Sequence, residues 1–466
     1  MKYTKKFNSK KLVIKTATVG LLLNMLMNPE IPAMAEEVKT PTTTEAGTTK
    51  STTTPATQKV VKIPSVDSLG LELESAVLIE PTTGEVLLSV NADVPLPPAS
   101  MTKMMTEYLV AEAVKNGQIS WDQNVIIQEN AAKQVGSRIF LAEKDEHTVE
   151  ELYTAMAVGS ANDATVALAE LVSGSEQEFV ELMNQTAQKM GMETAYFVNA
   201  TGLDRADMPE KYRPKNTDKE NVMSAMDAAI LAKYIVNDHP DFNRFTTVQS
   251  YQFRERDTAP MINYNWMLEA NKEIKNFKAY AYEGLDGLKT GHTARAKYCF
   301  AGTAERDGMR LISVVMGAKT EPKRFIETKK VLDFGFNNFE IKQVVAPKAV
   351  IAGNETVPVL KGKNKDVSVV TDEGVSFIVP KGTVAPEITT TVTINDPTTL
   401  VAPIAQSSKV GKVTYSYKVD GISQAQEKTV NLITAAEAEK ASWFKLFLRG
   451  IGDFFGDIFT GIKNLF

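Results

Sequence analysis

Between residues 60 and 339 the chain opens with sheet-forming sequence, runs through a long helical middle and closes with sheet-forming sequence again. That order narrows the folds open to it. Alternating apolar residues at 75–80 and 85–90 flank the turn Pro81-Thr82-Thr83-Gly84 and predict a strand pair. Helical spacing follows at 101–114, 149–157, 162–172, 176–190 and 224–236, with Ser175 and Ser224 placed as caps. Strands return at 297–305 and 310–318 around Arg306-Asp307-Gly308, and 321–333 reads as a last helix. A sheet must bury its apolar face under another layer, so the expectation is an α+β domain in which one antiparallel sheet is covered by helices.

The remainder divides by character. From 340 to 435, short runs rich in Val, Ile and Thr (367–371, 376–379, 387–394, 412–419) recur between Gly, Pro, Asn and Asp, which predicts a separate small β-sandwich with no catalytic constellation. In 441–466 the residues Phe444, Phe447, Leu448, Ile451, Phe454, Phe455, Ile458, Phe459, Ile462, Leu465 and Phe466 repeat at helical spacing. Lys445, Arg449, Asp453, Asp457 and Lys463 fall on the other side, the pattern of an amphipathic helix lying in a membrane interface rather than spanning it. A core or oligomerisation helix is the alternative.

At the other end, Lys2, Lys5, Lys6, Lys10, Lys11 and Lys15 precede the mostly apolar stretch 16–27, and Ala33-Met34-Ala35 supplies a small-x-small pattern. Residues 1–35 therefore read as a signal peptide cleaved after Ala35, with an uncleaved anchor as the alternative. Residues 36–59 form a Thr-rich linker. Without 1–35 the chain holds 46 basic and 56 acidic residues, a net charge of −10 against −5 for the whole. Nucleic acid, which needs a cationic footprint, is excluded as a partner. An exported chain whose one cysteine is Cys299 has no intrachain disulfide, so its stability must come from its cores. Cys299 sits in the strand-like run Lys297-Tyr298-Cys299-Phe300-Ala301-Gly302 and reads as a buried small hydrophobe. His147, His239 and His292 are scattered, and no metal or cofactor is expected.

In Pro97-Pro98-Ala99-Ser100-Met101-Thr102-Lys103, serine and lysine stand three apart where a helix should begin, because the prolines cannot lie inside one. At that spacing they share a face. A serine hydroxyl needs a base within reach, and lysine serves only if burial or nearby positive charge lowers its pKa. Met101, Met104, Met105, Leu109 and Val110 would supply the burial. Glu107, four residues after Lys103, could pair with it and keep it protonated, although it is expected to point elsewhere.

Alone, Ser-x-x-Lys says little, but Gly159-Ser160-Ala161-Asn162-Asp163-Ala164 and Gly287-Leu288-Lys289-Thr290-Gly291-His292-Thr293 follow. The ordered set Ser-x-x-Lys, Ser-x-Asn, Lys-Thr-Gly is the signature of penicillin-binding proteins and serine β-lactamases. Over about residues 60–435 the sequence resembles the low-molecular-mass D-alanyl-D-alanine carboxypeptidases. Gly136-Ser137-Arg138, the stretch from Tyr196 to Leu203 and Lys323-Arg324-Phe325 onward strengthen the likeness. Ala161 stands where relatives commonly carry glycine, a small change that should leave Ser160 and Asn162 functional.

The resemblance implies a β-lactamase/transpeptidase-like fold and an enzyme that removes the terminal D-alanine from peptidoglycan stem peptides, with β-lactams as covalent inhibitors. It implies that Ser100 attacks the carbonyl, Lys103 takes its proton and Ser160 relays a proton toward the leaving nitrogen. Asn162 would orient Lys103 or the substrate amide. The backbone N–H groups of Ser100 and His292 would form an oxyanion hole in the segment that also holds Gly291. Lys289, Thr290 and Arg324 would meet the substrate's carboxylate. The implied location is outside the cell, on the outer face of the bacterial cytoplasmic membrane or in the wall. A class A β-lactamase would add a glutamate for the hydrolytic water. Glu181-Leu182-Met183-Asn184 resembles that element superficially, but it lies inside the periodic pattern of Glu176–Met190 and reads as a solvated helix face. A non-catalytic surface binding protein on the same fold is the remaining alternative.

Overall fold

The computed structural model describes residues 62–420, 422 and 425–463, so the expected signal peptide and Thr-rich linker lie outside the described residues. The first hairpin pairs β1 (Ser75–Ile79) with β2 (Val86–Val90), and its turn is fixed by Glu80, whose carboxylate accepts from the N–H groups of Thr82 and Thr83. A 3-10 turn, Ala99–Thr102, leads into α1 (Lys103–Lys115). The middle continues with β3 (Asn124–Ile126), α2 (Glu129–Ala132), β4 (Glu146–Thr148), α3 (Val149–Gly159), α4 (Asn162–Ser173), α5 (Glu176–Met190) and α6 (Ala225–Asp238). The short α7 (Asn243–Thr246), β5 (Ser250–Tyr251) and β6 (Met261–Ile262) close it. Ser175 and Ser224 cap α5 and α6 as their spacing predicts, and Thr148 makes a capping box with Glu151 at α3.

Three strands then follow: β7 (Leu285–Thr293), β8 (Lys297–Arg306) and β9 (Met309–Ala318). They meet the first hairpin in one antiparallel sheet of order β2-β1-β9-β8-β7, with Val77 opposite Val314. The two ends of the domain are thus joined at the middle of its sheet. Alternation along the strands feeds two cores. Leu78, Leu311 and Val315 face the helix α8 (Glu321–Asn338), which brings Phe325, Val331 and Leu332. Val77, Ile312 and Val314 face Met101, Met104, Met105 of the turn and α1, and Ala228 and Leu231 of α6. A third core, with Leu152, Met156, Ala164 and Leu168, sits between α3 and α4. Burying one such side chain contributes roughly 1.5–3 kcal/mol, so these cores hold the domain without a disulfide. Cys299 is a free thiol, fully buried in β8, and burial pushes it up to about 11.

Strand β10 (Phe339–Val345) starts directly where α8 stops, with Phe339 buried against the Phe334 ring. It pairs with β13 (Val375–Pro380), while β11 (Thr356–Pro358), β12 (Asp366–Thr371), β14 (Thr389–Ile394), β15 (Lys409–Tyr417) and β16 (Gln426–Thr434) form a second sheet of order β11-β12-β16-β15-β14. Val357, Val369, Phe377, Val413 and Leu432 are buried as the core of this β-rich domain. The last element, α9 (Trp443–Lys463), leaves Trp443, Phe444, Phe447, Leu448, Ile451 and Phe454 exposed. Arg449 turns the other way and donates to the carbonyls of Gly362 and Lys363. No helix among the described residues is long and apolar enough to cross a membrane.

Candidate active site

Ser100 does not lie on the α-helix that its spacing to Lys103 predicts. It occupies the 3-10 turn, and α1 begins only at Lys103. The tighter winding suits the pair better, because side chains three apart eclipse in a 3-10 turn. Lys103 Nζ reaches Ser100 Oγ at 3.0 Å. The turn is wedged between two glycines. A Cβ on Gly202, whose φ is +83°, would fall 1.9 Å from the carbonyl oxygen of Ala99. One on Gly291 of β7 would fall 2.5 Å from that of Pro98. Any side chain at either position would push the nucleophile away.

Lys103 is fully buried, and its Nζ has three neighbours: Ser100 Oγ, Asn162 Oδ1 at 2.6 Å and the Thr201 carbonyl at 2.7 Å. Asn162 cannot be turned around, since its Nδ2 donates to the Val135 carbonyl at 2.6 Å. Both Asn162 Oδ1 and the Thr201 carbonyl only accept, so a neutral amine spends its two N–H groups on them and leaves its lone pair for the hydroxyl of Ser100. Burial first, and then the Lys289 ammonium, hold Lys103 well below the usual lysine range. The result is a serine facing a lysine that can be neutral.

Ser160 caps α3 in the left-handed region, with φ 53°, and its Oγ accepts from Lys289 Nζ at 2.9 Å. Lys289, buried in β7, is lowered to about 8, chiefly by burial. Asn162 opens α4 two residues later. Strand β7 was not apparent from apolar periodicity, because Gly287, Lys289, Thr290 and Gly291 interrupt it. It is the outer strand of its sheet, so one row of its backbone groups has no partner within that sheet. Thr290 is buried and Gly291 abuts the nucleophile turn. His292 is exposed and stacks on Tyr298 with ring centroids 4.1 Å apart.

Arg324 is the remaining residue expected to meet the substrate's carboxylate. Its side chain is buried on α8, where Nη2 pairs with Glu321 at 2.8 Å and Nη1 lies 3.4 Å from the Gly291 carbonyl. The guanidinium supports β7 and adds positive potential there, lowering Lys289 further. Glu107 is also buried. Among the described residues no ion pair joins it to Lys103, and its Oε1 lacks a hydrogen-bond partner. Desolvation raises its carboxyl to about 7 against the pull of Lys289 and Lys103. Glu181 is exposed on α5, and the Asn184 side chain is spent on the Val180 and Phe197 backbone.

Two contributors carry no role in the sequence reading. Thr201 acts through its carbonyl, which no side-chain motif can announce, although Asn199, whose Oδ1 accepts from the N–H groups of Thr201 and Gly202, marks that loop as built. Asp163 accepts from the N–H groups of Ile139 and Leu141 and so ties the loop carrying Val135 to α4. Its position beside Asn162 was the available signal.

A hydroxyl bonded to a buried amine that can be neutral, with a second serine bonded to a second buried cation whose charge reaches that amine, makes an acyl-transfer centre. The comparisons agree with it: residues 61–320 match the family described as D-alanyl-D-alanine carboxypeptidase, and residues 339–440 match the penicillin-binding protein 5 C-terminal domain. The chain belongs to the D-alanyl-D-alanine carboxypeptidase family. It is 36% identical over 386 residues to D-alanyl-D-alanine carboxypeptidase DacF of Bacillus subtilis, covering 83% of this chain and 90% of that one. Among solved structures it is similar to the peptidoglycan synthesis regulatory factor PBP3 of Streptococcus pneumoniae, with a TM-score of 0.68 and 30% identity over 79% of this chain and all of that one. Penicillin-binding protein 5 of Haemophilus influenzae gives a TM-score of 0.63 and 31% identity over 82% of this chain and all of that one.

Proposed function

We propose that this chain is a serine-type D-Ala-D-Ala carboxypeptidase that removes the terminal D-alanine from peptidoglycan stem peptides through an acyl-enzyme on Ser100. The observation that carries the reading is the setting of Lys103 Nζ, within hydrogen-bond distance of Ser100 Oγ and of two acceptors that cannot donate. In the first step Lys103 takes the Ser100 proton as Oγ bonds to the penultimate D-alanine carbonyl. Backbone N–H groups of Ser100 and His292 receive the oxyanion, where one such donor is typically worth about 3 kcal/mol. Ser160, accepting from Lys289, passes its hydroxyl proton to the leaving nitrogen and regains one from Lys103, so that the proton taken from Ser100 ends on the departing D-alanine and Lys103 is neutral again. Water then hydrolyses the ester and frees Ser100. Lys289 and Thr290 meet the terminal carboxylate, Asn162 orients Lys103, and Arg324 acts one step removed, through Gly291.

A β-lactam presents a strained amide and a carboxylate in the same relation, so it acylates the same serine. Fluorescent penicillin tests the reading: the wild-type chain should label and lose label slowly while releasing D-alanine from a stem peptide, and Ser100→Ala should do neither while melting like wild type. Amidating the peptide's C-terminus removes a charge-assisted contact and should slow release about tenfold or more. Label on Ser100→Ala, or equal turnover of acid and amide, would overturn the assignment.

The apolar face of α9 supports attachment to a membrane surface, since Trp443 and Phe447 are 78% and 57% exposed and nothing described covers them. Export and residence on the outer face of the bacterial membrane go with this reading. Deleting 442–466 should release the protein from membranes and leave its rate on a soluble peptide unchanged. Sedimentation of the truncated chain with membranes would place the anchor elsewhere.

A further inference from the structure

The peptide bond between Thr201 and Gly202 is held from both of its sides. Its carbonyl accepts from Lys103 Nζ at 2.7 Å, and its N–H donates to Asn199 Oδ1, also at 2.7 Å. In a trans peptide the C=O and N–H point in opposite directions, so whatever fixes the one aims the other. Asn199 is buried, and both ends of its carboxamide are engaged. Oδ1 also accepts from the Thr201 N–H at 3.1 Å and the Thr201 hydroxyl at 3.0 Å, while Nδ2 donates to the Leu203 carbonyl at 2.9 Å. Backbone N–H groups only donate, so this carboxamide has one orientation.

A second orientation of the peptide lies close at hand. Gly202 has φ +83°, and turning the bond over would need a φ of about −90°, which glycine adopts as readily. The turned peptide would present its N–H to Lys103, a donor in place of an acceptor. A neutral Lys103 would accept that N–H with its lone pair and have none for Ser100. The flanking residues are pinned separately: the Ala200 N–H on Glu176 at 3.1 Å, its carbonyl on the Thr106 hydroxyl at 2.9 Å, and the Leu203 carbonyl on Asn221 Nδ2 at 3.1 Å. These bonds fix the ends of the segment and leave its middle peptide to Asn199.

We infer that Asn199 is a positioning residue for acyl transfer, locking the Thr201–Gly202 peptide with its carbonyl toward Lys103 so that the lysine lone pair stays on Ser100. The inference rests on the reading of Lys103 as the base. The bond at the Gly202 N–H also polarises the carbonyl and makes it a better acceptor. The charges that face Lys103 are Lys289 on β7, Glu107 on α1 and Asp163 on α4, and a substitution at Asn199 removes none of them.

The test is the rate of acylation by benzylpenicillin, followed by stopped flow on the full chain from about pH 5 to pH 10. Asn199→Leu frees the peptide, so its alkaline plateau should fall about tenfold or more, and its acid limb should move to lower pH because the ammonium form of Lys103 loses an acceptor. A variant that merely loosened the loop would admit water to Lys103 and move the limb the other way. Asn199→Asp keeps an acceptor for both N–H groups and should hold the plateau within a few-fold of wild type, while its negative charge moves the limb to higher pH. It is the arbiter if Asn199→Leu does not fold. Asn221→Leu removes bonds to the Val198 and Asn199 N–H groups and the Leu203 carbonyl but none to the Thr201–Gly202 peptide, and should lower the melting temperature without the downward shift of the limb. A wild-type plateau or an upward limb shift in folded Asn199→Leu, a plateau lost about tenfold in Asn199→Asp, or the same downward shift in Asn221→Leu would overturn the inference. Failure of the base assignment itself reads differently, as wild-type acylation by Lys103→Arg.

Discussion

Lys103 and Lys289 are buried in the helix-covered sheet domain, whereas among the described residues no lysine between 340 and 440 is buried. The carboxylates differ in the same way. Glu85, Glu107 and Glu170 are all raised to about 7 in the first domain, with burial as the leading cause. The β domain buries neutral polar groups instead and matches Gln426 and Thr434, although the buried Tyr415 hydroxyl has no partner among the described residues. Gln426 Oε1 accepts from the Ile378 N–H at 2.9 Å while its Nε2 donates to the Ile378 carbonyl at 2.7 Å. Thr434 Oγ1 donates to the Ala405 carbonyl. Burying a charge is costly unless it is matched, so a fold that needs only stability uses amides and hydroxyls. The catalytic domain accepts that cost around Ser100 because a desolvated lysine is a usable base.

The largest effect that could break this contrast is at Lys103. Guanidinium does not lose a proton at working pH, so Lys103→Arg should slow acylation by penicillin at least a hundredfold, measured by stopped-flow quenching. Acylation at the wild-type rate would mean the buried amine is not the base.

A smaller and more telling effect is expected at Glu107. Its negative charge raises both lysines, so Glu107→Gln should lower them further and move the acid limb of the acylation rate to lower pH. Near pH 8, where the Glu107 carboxylate is charged, the variant should acylate about two- to tenfold faster than wild type, and the two should converge at pH 6, where wild-type Glu107 holds its proton. Stability gives an independent check. Because the folded carboxyl is raised from 4.5 to about 7, folded protein holds a proton that the unfolded chain has released, and its contribution to stability falls as pH rises through that window. The melting temperature of the variant relative to wild type should therefore climb between about pH 5 and pH 7. A flat difference, with an unmoved acid limb, would remove Glu107 from the electrostatics of the site.

The smallest effect on catalysis should come from the β domain. Gln426→Leu strands the N–H and carbonyl of Ile378 and should cost about 1–3 kcal/mol in denaturant unfolding while leaving acylation unchanged. A changed acylation rate in folded Gln426→Leu would show that the two domains are not as separate in their chemistry as their buried groups suggest.

The same contrast explains what was legible beforehand. Ser100, Lys103, Ser160, Asn162 and Lys289 could be read because they form an ordered three-motif signature, and the structure joins Ser100 and Asn162 to Lys103 and Ser160 to Lys289. Ser175 and Ser224 could be read because a cap is a local event. Long-range and backbone contributions were hidden. The Thr201 carbonyl carries no residue type, and the 3-10 winding at Ser100 is set by the close approach of Gly202 and Gly291. Strand β7 has too few large apolar residues to alternate, and β11 is only three residues long. Arg324 was assigned to the substrate's carboxylate through the resemblance alone, without its ion pair. Its partner Glu321, three residues earlier on the same face, was already in view.

The joining of the sheet at β1 and β9 also sets the order in which the chain can assemble. Ser75 lies opposite Met316, so the central pairing must wait until residues 241 positions apart are both available. Until then the β1 edge of the first hairpin stays open, Ala76 and Val77 lack their cover, and the nucleophile turn has no β7 to lean on. Contacts this distant in sequence form late and slowly. A chain that emerges N-terminus first therefore leaves this domain incomplete and inactive until late, and acquires its reactive serine only when the last three strands of the sheet arrive.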